Sequence, residues 1–425
     1  MARQLARILM LHPGGAGQFL HLAPHLAARG HAVVFLTRAA EVRLPGVRVR
    51  RYALDDGRVD AGRAGTSWTA RAVRAGQAAL RACLALARQG FVPDAVVAHP
   101  GWGDALFLRE AFPAARIALY CEYFYRPHGA DVGFADQVGT GLDAECGLRL
   151  RNASLLAALE AADVLWAPTA WQRDLHPGWL RPAITVAHEG IDLARVRPDR
   201  AARFVLPDGA TLRPGDEVLT YVARGLEPQR GFPQLMRALP ALLAAHPRLQ
   251  VVICGGDSCH YSRAPTGFSS WREAMAAKLG PLPRVHFVGM LERVRYLALL
   301  RVSRLHLYLS VPFVLSWSLT EAMATGCLVL ASDTAPVREF ISDGANGFLV
   351  EMRAPEAIAA RAGALLAAPD DPAIRAAARA TIAARCALPA CLAAQEALIL
   401  AGTAAGAAAA TNSGSDARQS GGVMP

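Results

Sequence analysis

Long apolar runs are missing from this sequence of 425 residues. No stretch of about 18 or more uninterrupted apolar residues occurs, which argues against a transmembrane helix. The opening, MARQLARILMLHPGG, carries Arg3 and Arg7, but its apolar run stops at His12-Pro13-Gly14-Gly15. That is too short for the core of a secretory signal, so a cytoplasmic protein is expected. Cysteine pairs are missing too. The eight cysteines (Cys83, Cys121, Cys146, Cys254, Cys259, Cys327, Cys386 and Cys391) are scattered without any C-x-x-C, and most lie in apolar runs. Reduced, mostly buried thiols are expected, and a zinc site is unsupported. There is no Walker phosphate loop and no complete G-x-G-x-x-G, which disfavours a dehydrogenase. Aromatic-basic RNA motifs are absent. The net charge of +10, carried mainly by arginine, therefore reads as a preference for anions such as phosphorylated donors or anionic lipid, not nucleic acid.

What is present is apolar material for a large core: 53% of residues are hydrophobic and 19% charged. Much of the excess is alanine, a good helix former. The length is too great for one ordinary core and points to two domains. In the first half, short β-like runs (ARILMLH, HAVVFLT, DAVVAHPGWG, RIALYCEY, ADVLWAPT) alternate with helical stretches such as the periodic segment 67–90. A turn-rich stretch, 192–217, interrupts the pattern, and the alternation restarts at EVLTYVARG. The expectation is α/β architecture with two doubly wound units in series. The boundaries are a first domain over 1–195, a linker over 196–215 and a second domain over 216–385. A helix over 386–401 packs back on the first domain, and a disordered low-complexity tail covers 402–425.

Three loops at strand ends are candidate anion sites, because ligands of open α/β sheets settle there and helix N-termini favour negative charge. Gly14-Gly15-Ala16-Gly17 follows the first strand; it is either a tight turn or a loop that lets a ligand approach the backbone. YVARGLEPQRGF (221–232) places Arg224 at a strand end and Arg230 just before a helix. Two guanidiniums there suit a diphosphate, or they are two solvated surface arginines. PFVLSWSLTEAMATG (312–326) opens a helix at Ser316 or Ser318, and Ser318-x-x-Glu321 matches a capping box, so Glu321 is either a cap or a ligand-holding carboxylate.

The segment SLTEAMATGCLVLASDTAPVREFISDGANGFLVE (318–351) closely resembles the most recognisable segment of the family-four glycosyltransferases, which have the GT-B fold. Glu321-Ala322-Met323-Ala324, Gly326, Val329 and Glu339 line up with it, and SDGANGFLV closes the match. The Gly-Gly loop, Arg29-Gly30-His31, HEGID (188–192) and ARGLEPQRG stand in the family's order. The resemblance implies two Rossmann-like domains facing across a cleft and a retaining hexosyltransferase that moves a sugar from a nucleoside diphosphate sugar to an acceptor hydroxyl. The acceptor would be a glycan, a lipid-linked group or a small molecule, in bacterial polysaccharide synthesis.

The same resemblance assigns roles. Arg224 and Arg230 would grip the diphosphate, although their spacing is one residue longer than the family's and Arg230 stands where lysine is usual. Glu321 would hold the ribose hydroxyls, the N–H groups around Ser318 and Leu319 would face the phosphates, and Ser316 with backbone groups would contact the donor sugar. His99 would lie near the transferred sugar, and Gly14, Gly15, Gly17 and Gln18 would cover the cleft. Glu122, Tyr123 and Tyr125 are acceptor-side candidates; core and rim packing is the other reading. No cofactor or metal is expected, since no Asp-x-Asp precedes these loops and arginines can neutralise a diphosphate. The basic surface also allows peripheral contact with the inner membrane face.

One departure stands out. Phe313 occupies the position eight residues before Glu321 where the family has a carboxylate for the donor sugar. That leaves open a non-catalytic nucleotide-sugar-binding protein beside the transferase; a GT-B sugar-nucleotide epimerase is the nearest enzymatic alternative.

Overall fold

The computed structural model describes residues 5–54, 64–134 and 141–403. The chain forms two compact units. Described residues up to Tyr125, from Gly141 to Gly190 and from Leu388 onward make the first; Arg126 to Phe134 and Ile191 to Ala387 make the second.

The first unit is built on seven strands: β1 (Arg7–Leu11), β2 (Ala32–Thr37), β3 (Arg48–Arg51), β4 (Ala95–Ala98), β5 (Arg116–Tyr120), β6 (Val164–Ala167) and β7 (Ile184–Val186). Their order is β3-β2-β1-β4-β5-β6-β7, and every pairing is parallel. RILML, AVVFLT, AVVA and VLWA are apolar almost throughout because a parallel sheet buries both faces. Phe19, Phe35, Tyr120 and Trp166 form the bulk of its core, and the helix Leu388–Leu400 adds Leu392, Ile399 and Leu400 to it. That helix is tied down by polar contacts as well. Glu396 accepts from Arg29 Nε at 2.7 Å and lies 3.0 Å from His25 Nε2, while Gln395 Nε2 donates to the carbonyl of His188 at 2.7 Å.

The second unit opens with an antiparallel hairpin, β8 (Phe204–Val205) and β9 (Thr211–Leu212). Its main sheet has β10 (Val218–Gly225), β11 (Gln250–Gly256), β12 (Val285–Gly289), β13 (Leu305–Tyr308), β14 (Val329–Ser332) and β15 (Phe348–Val350). The order is β12-β11-β10-β13-β14-β15, again wholly parallel.

Three expectations about boundaries need correction. The stretch 196–215 is not a linker: Phe204, Leu206 and Leu212 are buried with Val218, Val252 and Leu299 in a core of the second unit. Its prolines and charges disguise an apolar hairpin side that is decisive only once the sheet beneath it exists. The boundary expected at 195–196 falls instead at Gly190–Ile191. Residues 126–134, expected in the first domain, group with the second, where Arg353 lies 4.9 Å over the ring of Phe134. The tail expected over 402–425 lies outside the described residues beyond Thr403. Among the described residues no helix is long and apolar enough to cross a membrane.

The Glu396 cluster gives a testable pH dependence. Burial raises the carboxyl's proton affinity, but Arg29 and His25 outweigh it and hold its pKa below the ordinary 4.5. A folded pKa lower than the unfolded one means the stabilisation is complete above about pH 4.5 and lost as pH falls below it. Glu396→Gln should lower stability at pH 7 by about 1–2 kcal/mol, discounted for the half-exposed Arg29. Urea titrations should show the gap between variant and parent closing as pH drops toward about 3.

Candidate functional site

In the second sheet the strand order reverses between β10 and β13, so the carboxyl ends of these two strands flank the point where such sheets bind ligands. β10 delivers Arg224, and a short 3-10 turn, Pro228–Arg230, delivers Arg230. Gly231 then swings the chain into the helix Phe232–Ala245 with φ +67°, and a Cβ there would sit 2.4 Å from Leu309 Cβ. Arg230 is held through one nitrogen. Its Nη1 donates to Tyr308 Oη (3.3 Å), Ser310 Oγ (2.9 Å) and the carbonyl of Val314 (3.2 Å). Nε and Nη2 have no partner among the described residues, which leaves a fork available to an anion. Arg224 is exposed and likewise unpartnered among the described residues. Its charge is felt by His260, whose proton affinity is lowered by burial and then by Arg224.

β13 runs through the loop containing Phe313 into the helix Trp317–Thr325. Ser316 is the N-cap: its Oγ accepts from Ser318 N at 3.2 Å. The capping-box reading of Ser318 and Glu321 does not hold, because with Ser316 as the cap Glu321 lies two residues beyond the box position. Its carboxylate is buried and points elsewhere, accepting from Tyr296 Oη at 2.7 Å and pairing with Arg293 Nη1 at 2.6 Å. Burial and then Glu321 keep the Tyr296 phenol protonated well past its ordinary range. A carboxylate has about four acceptor positions, so two such partners leave room for hydroxyl donors. The backbone N–H groups expected to face phosphates are already engaged: Ser318 N with Ser316 Oγ, and Leu319 N with the Ser316 carbonyl at 3.1 Å. Phe313 is buried and meets the ring of Tyr261 edge-on at 4.8 Å.

In the first sheet the order reverses between β1 and β4, and a histidine follows each: His12 and His99. Their rings are 5.6 Å apart. His99 Nδ1 accepts the N–H of Gly101 at 3.0 Å, so the proton sits on Nε2, which donates to Glu122 Oε2 at 3.2 Å. Gln18 Nε2 donates to the other oxygen of Glu122 at 2.5 Å. Burial works against the Glu122 carboxylate, but His99, Gln18 and His12 outweigh it and keep its pKa below the ordinary value. His12 is driven the other way: burial, then His99, push its pKa down to about 3, so it is neutral. Its Nδ1 accepts the N–H of Gly14 at 3.2 Å, and Gly17, with φ +50°, packs so close that a Cβ would lie 2.5 Å from His12 Nε2. Gly15 also turns through positive φ, at +103°. Gln18, His99 and Glu122, far apart in sequence, thus form one cluster.

Tyr123 and Tyr125 follow directly, their rings 5.2 Å apart. Two amides that the sequence did not single out clamp this segment. Gln172 Nε2 donates to the Glu122 carbonyl at 2.7 Å, while Asn152 accepts from Tyr125 N (3.1 Å) and donates to its carbonyl (2.7 Å). Arg151 lies 3.6 Å over the Tyr125 ring and 3.9 Å over that of Trp68. Among the described residues no three His, Cys, Asp or Glu side chains gather as metal ligands.

Comparison with known proteins decides the family. Residues 29–196 match the family described as Glycosyl transferase family 4 group, and residues 207–381 match Glycosyl transferases group 1. The chain belongs to the family-four, group-one glycosyltransferases. The D-inositol 3-phosphate glycosyltransferase of Nocardia farcinica is 33% identical over 189 residues, 44% of this chain and 40% of that one. The lipopolysaccharide core biosynthesis mannosyltransferase LpcC of Rhizobium leguminosarum is 29% identical over 178 residues, 41% of this chain and 47% of the other. The chain thus spans less than half the length of these curated relatives. Among solved structures, Anabaena Alr3699/HepE in complex with UDP and glucose superposes with TM-score 0.65 at 16% identity, over 92% of this chain and 98% of that one. Sucrose-phosphate synthase from Thermosynechococcus elongatus gives 0.67 at 19% identity, over 92% and 97%. The fold is GT-B.

In this glycosyltransferase Gly231 bears both a left-handed φ and a contact with Leu309 that no side chain can share. Gly231→Ala should cost about 1–3 kcal/mol of stability, read by chemical denaturation, because backbone strain and overpacking add.

Proposed function

We propose that the protein transfers a sugar, with retention at the anomeric carbon, from a nucleoside diphosphate sugar to an acceptor hydroxyl. The donor occupies the second unit and the acceptor the first. The observation that carries this reading is Arg230: a guanidinium fixed through Nη1, with Nε and Nη2 open, at the switch point of a parallel sheet. In it, Arg230 and Arg224 stabilise the charge that grows on the leaving diphosphate. Glu321 receives the ribose hydroxyls, oriented by Tyr296 and Arg293. Both nitrogens of His99 are engaged, so Glu122 is the group left to meet a hydroxyl. The leaving phosphate oxygen takes the acceptor's proton, and the reading needs no resident metal. A glycan or lipid-linked acceptor suits the Tyr123 and Tyr125 segment, and the net charge of +10 suits peripheral contact with an anionic membrane face. The curated relatives named above, a D-inositol 3-phosphate glycosyltransferase and a mannosyltransferase, support the reaction class.

A second reading, a non-catalytic nucleotide-sugar binder, draws on Phe313. Thermal shift with UDP, GDP, ADP and their sugars, followed by turnover with radiolabelled donors, separates the two. Arg230→Ala should weaken binding of the active nucleotide by about 100-fold, the loss of two charge-assisted hydrogen bonds, and Arg224→Ala by about 10-fold. Tight binding with no turnover of any donor would sink the transferase reading, and an Arg230→Ala variant of parental affinity would remove the donor site assigned to it.

A further inference from the structure

We propose that Glu227 is the positioning residue of the donor site, setting the cation with its backbone and the aromatic wall beside that cation with its side chain. The inference rests on the donor reading of Arg230 given above.

Glu227 is wholly buried, and among the described residues no ion pair reaches it. Its partners are instead the amides of one turn. Oε1 accepts from His260 N at 3.1 Å; Oε2 accepts from Tyr261 N at 3.0 Å, Ser262 N at 2.8 Å and Ser262 Oγ at 2.9 Å. Three successive N–H groups turned onto one carboxylate make an anion nest whose anion is the protein's own. Residues 257–262, which follow β11, form neither helix nor strand, so this carboxylate gives the segment its shape. The turn lies so close to the end of β10 that a Cβ on Gly225 would come within 2.6 Å of the Ser258 carbonyl and 3.0 Å of Glu227 Oε1.

The backbone of the same residue works on the other side. The Glu227 carbonyl accepts from Arg230 N at 3.1 Å and Phe232 N at 3.3 Å, closing the 3-10 turn that presents Arg230. The product of both actions is one arrangement. Tyr261 meets Phe313 at 4.8 Å, and Arg230 Cζ lies 6.0 Å and 5.7 Å from the two ring centroids. The rings keep water from one side of the guanidinium, and a phosphate on its open nitrogens then feels a less screened charge. Filling space alone does not explain a carboxylate here, because an apolar side chain fills a buried site without the cost of desolvating a charge.

The test compares Glu227→Gln, Tyr261→Ala, the double variant and Tyr261→Phe, with UDP, GDP and ADP as binding probes and steady-state kinetics on whichever donor is turned over. Each of the first two should weaken nucleoside diphosphate binding about 10-fold and raise donor KM more than it changes kcat. The double variant should be no worse than the poorer single one, since both act through one element. Tyr261→Phe should retain binding. A Glu227→Gln protein that melts lower but binds like the parent, or a double variant whose losses multiply, overturns the proposal. If Glu227→Gln fails to fold, Tyr261→Ala and Ser262→Ala, in the exposed turn, decide it: parental affinity in both overturns it. Should the parent bind no nucleoside diphosphate, the donor reading falls and this inference with it. Should the parent bind, and Arg230→Ala not, while Glu227→Gln and Tyr261→Ala match the parent, only this inference falls.

Discussion

Parallel pairing is the constraint on which the rest of this protein depends. A parallel neighbour cannot be reached by a tight hairpin, so successive strands of the two main sheets are joined by crossovers and the strand-to-helix loops of each sheet emerge at one edge. Where the order reverses, two adjacent strands send their following chains away in opposite directions, and the backbone leaves room for a ligand between them. The reversal occurs between β1 and β4 in one sheet and between β10 and β13 in the other. His12 and His99 hang from the first pair of strand ends; Arg224, Arg230 and the segment carrying Ser310, Phe313 and Ser316 hang from the second. The candidate site residues of each unit thus sit at strand ends whose positions topology dictates.

How much of that was legible depended on the range of the interactions. Fully buried strands such as AVVFLT and QVVICGG declare themselves by unbroken apolarity, and the segment after Ser318 declares the family by its run of identities. The hairpin over 204–212 did not, because its apolar side is legible only against the sheet it covers. Nor did the partners of the site residues: Tyr296 is 25 residues from Glu321, and Gln18 is 104 from Glu122. Asn152 and Gln172 read as ordinary polar positions on helices, and their work as backbone clamps exists only once the segment after β5 lies over them. The capping box failed for a local reason. Ser316 and Ser318 both satisfy the N-cap pattern, and Ser316 takes the role, which shifts Glu321 out of reach of the helix start.

Three carboxylates, Glu227 and Glu321 in the second unit and Glu122 in the first, are satisfied in three different ways, and the difference predicts what each can do. Glu227 is saturated by backbone amides and a hydroxyl, so it is a fixed strut. Glu321 is shared between a phenol and a half-exposed arginine, partners that can rearrange around a diol. Glu122 has one donor on each oxygen, keeps a quarter of its side chain open and, against the effect of burial, has its proton affinity lowered by His99 and Gln18. A carboxylate's partners, more than its burial, set its role.

Arginine at position 230 is now understandable in place of lysine. An ammonium is a point donor, and holding it to Tyr308, Ser310 and the Val314 carbonyl would exhaust its three protons. The guanidinium makes all three contacts through Nη1 and still presents Nε and Nη2, with the ring centroids of Tyr261 and Phe313 6.0 and 5.7 Å from its Cζ. The 3-10 turn Pro228–Arg230 presents Arg230, and Gly231, in its left-handed conformation, turns the chain into the following helix. Phe313 belongs to the same solution. A carboxylate there would pair with the guanidinium a few ångströms away and compete with any phosphate for it, whereas an aromatic ring orients the cation and leaves its charge unspent. Arg230 and Phe313 thus belong to one arrangement, and on the reading proposed above the buried Glu227 holds its two halves together.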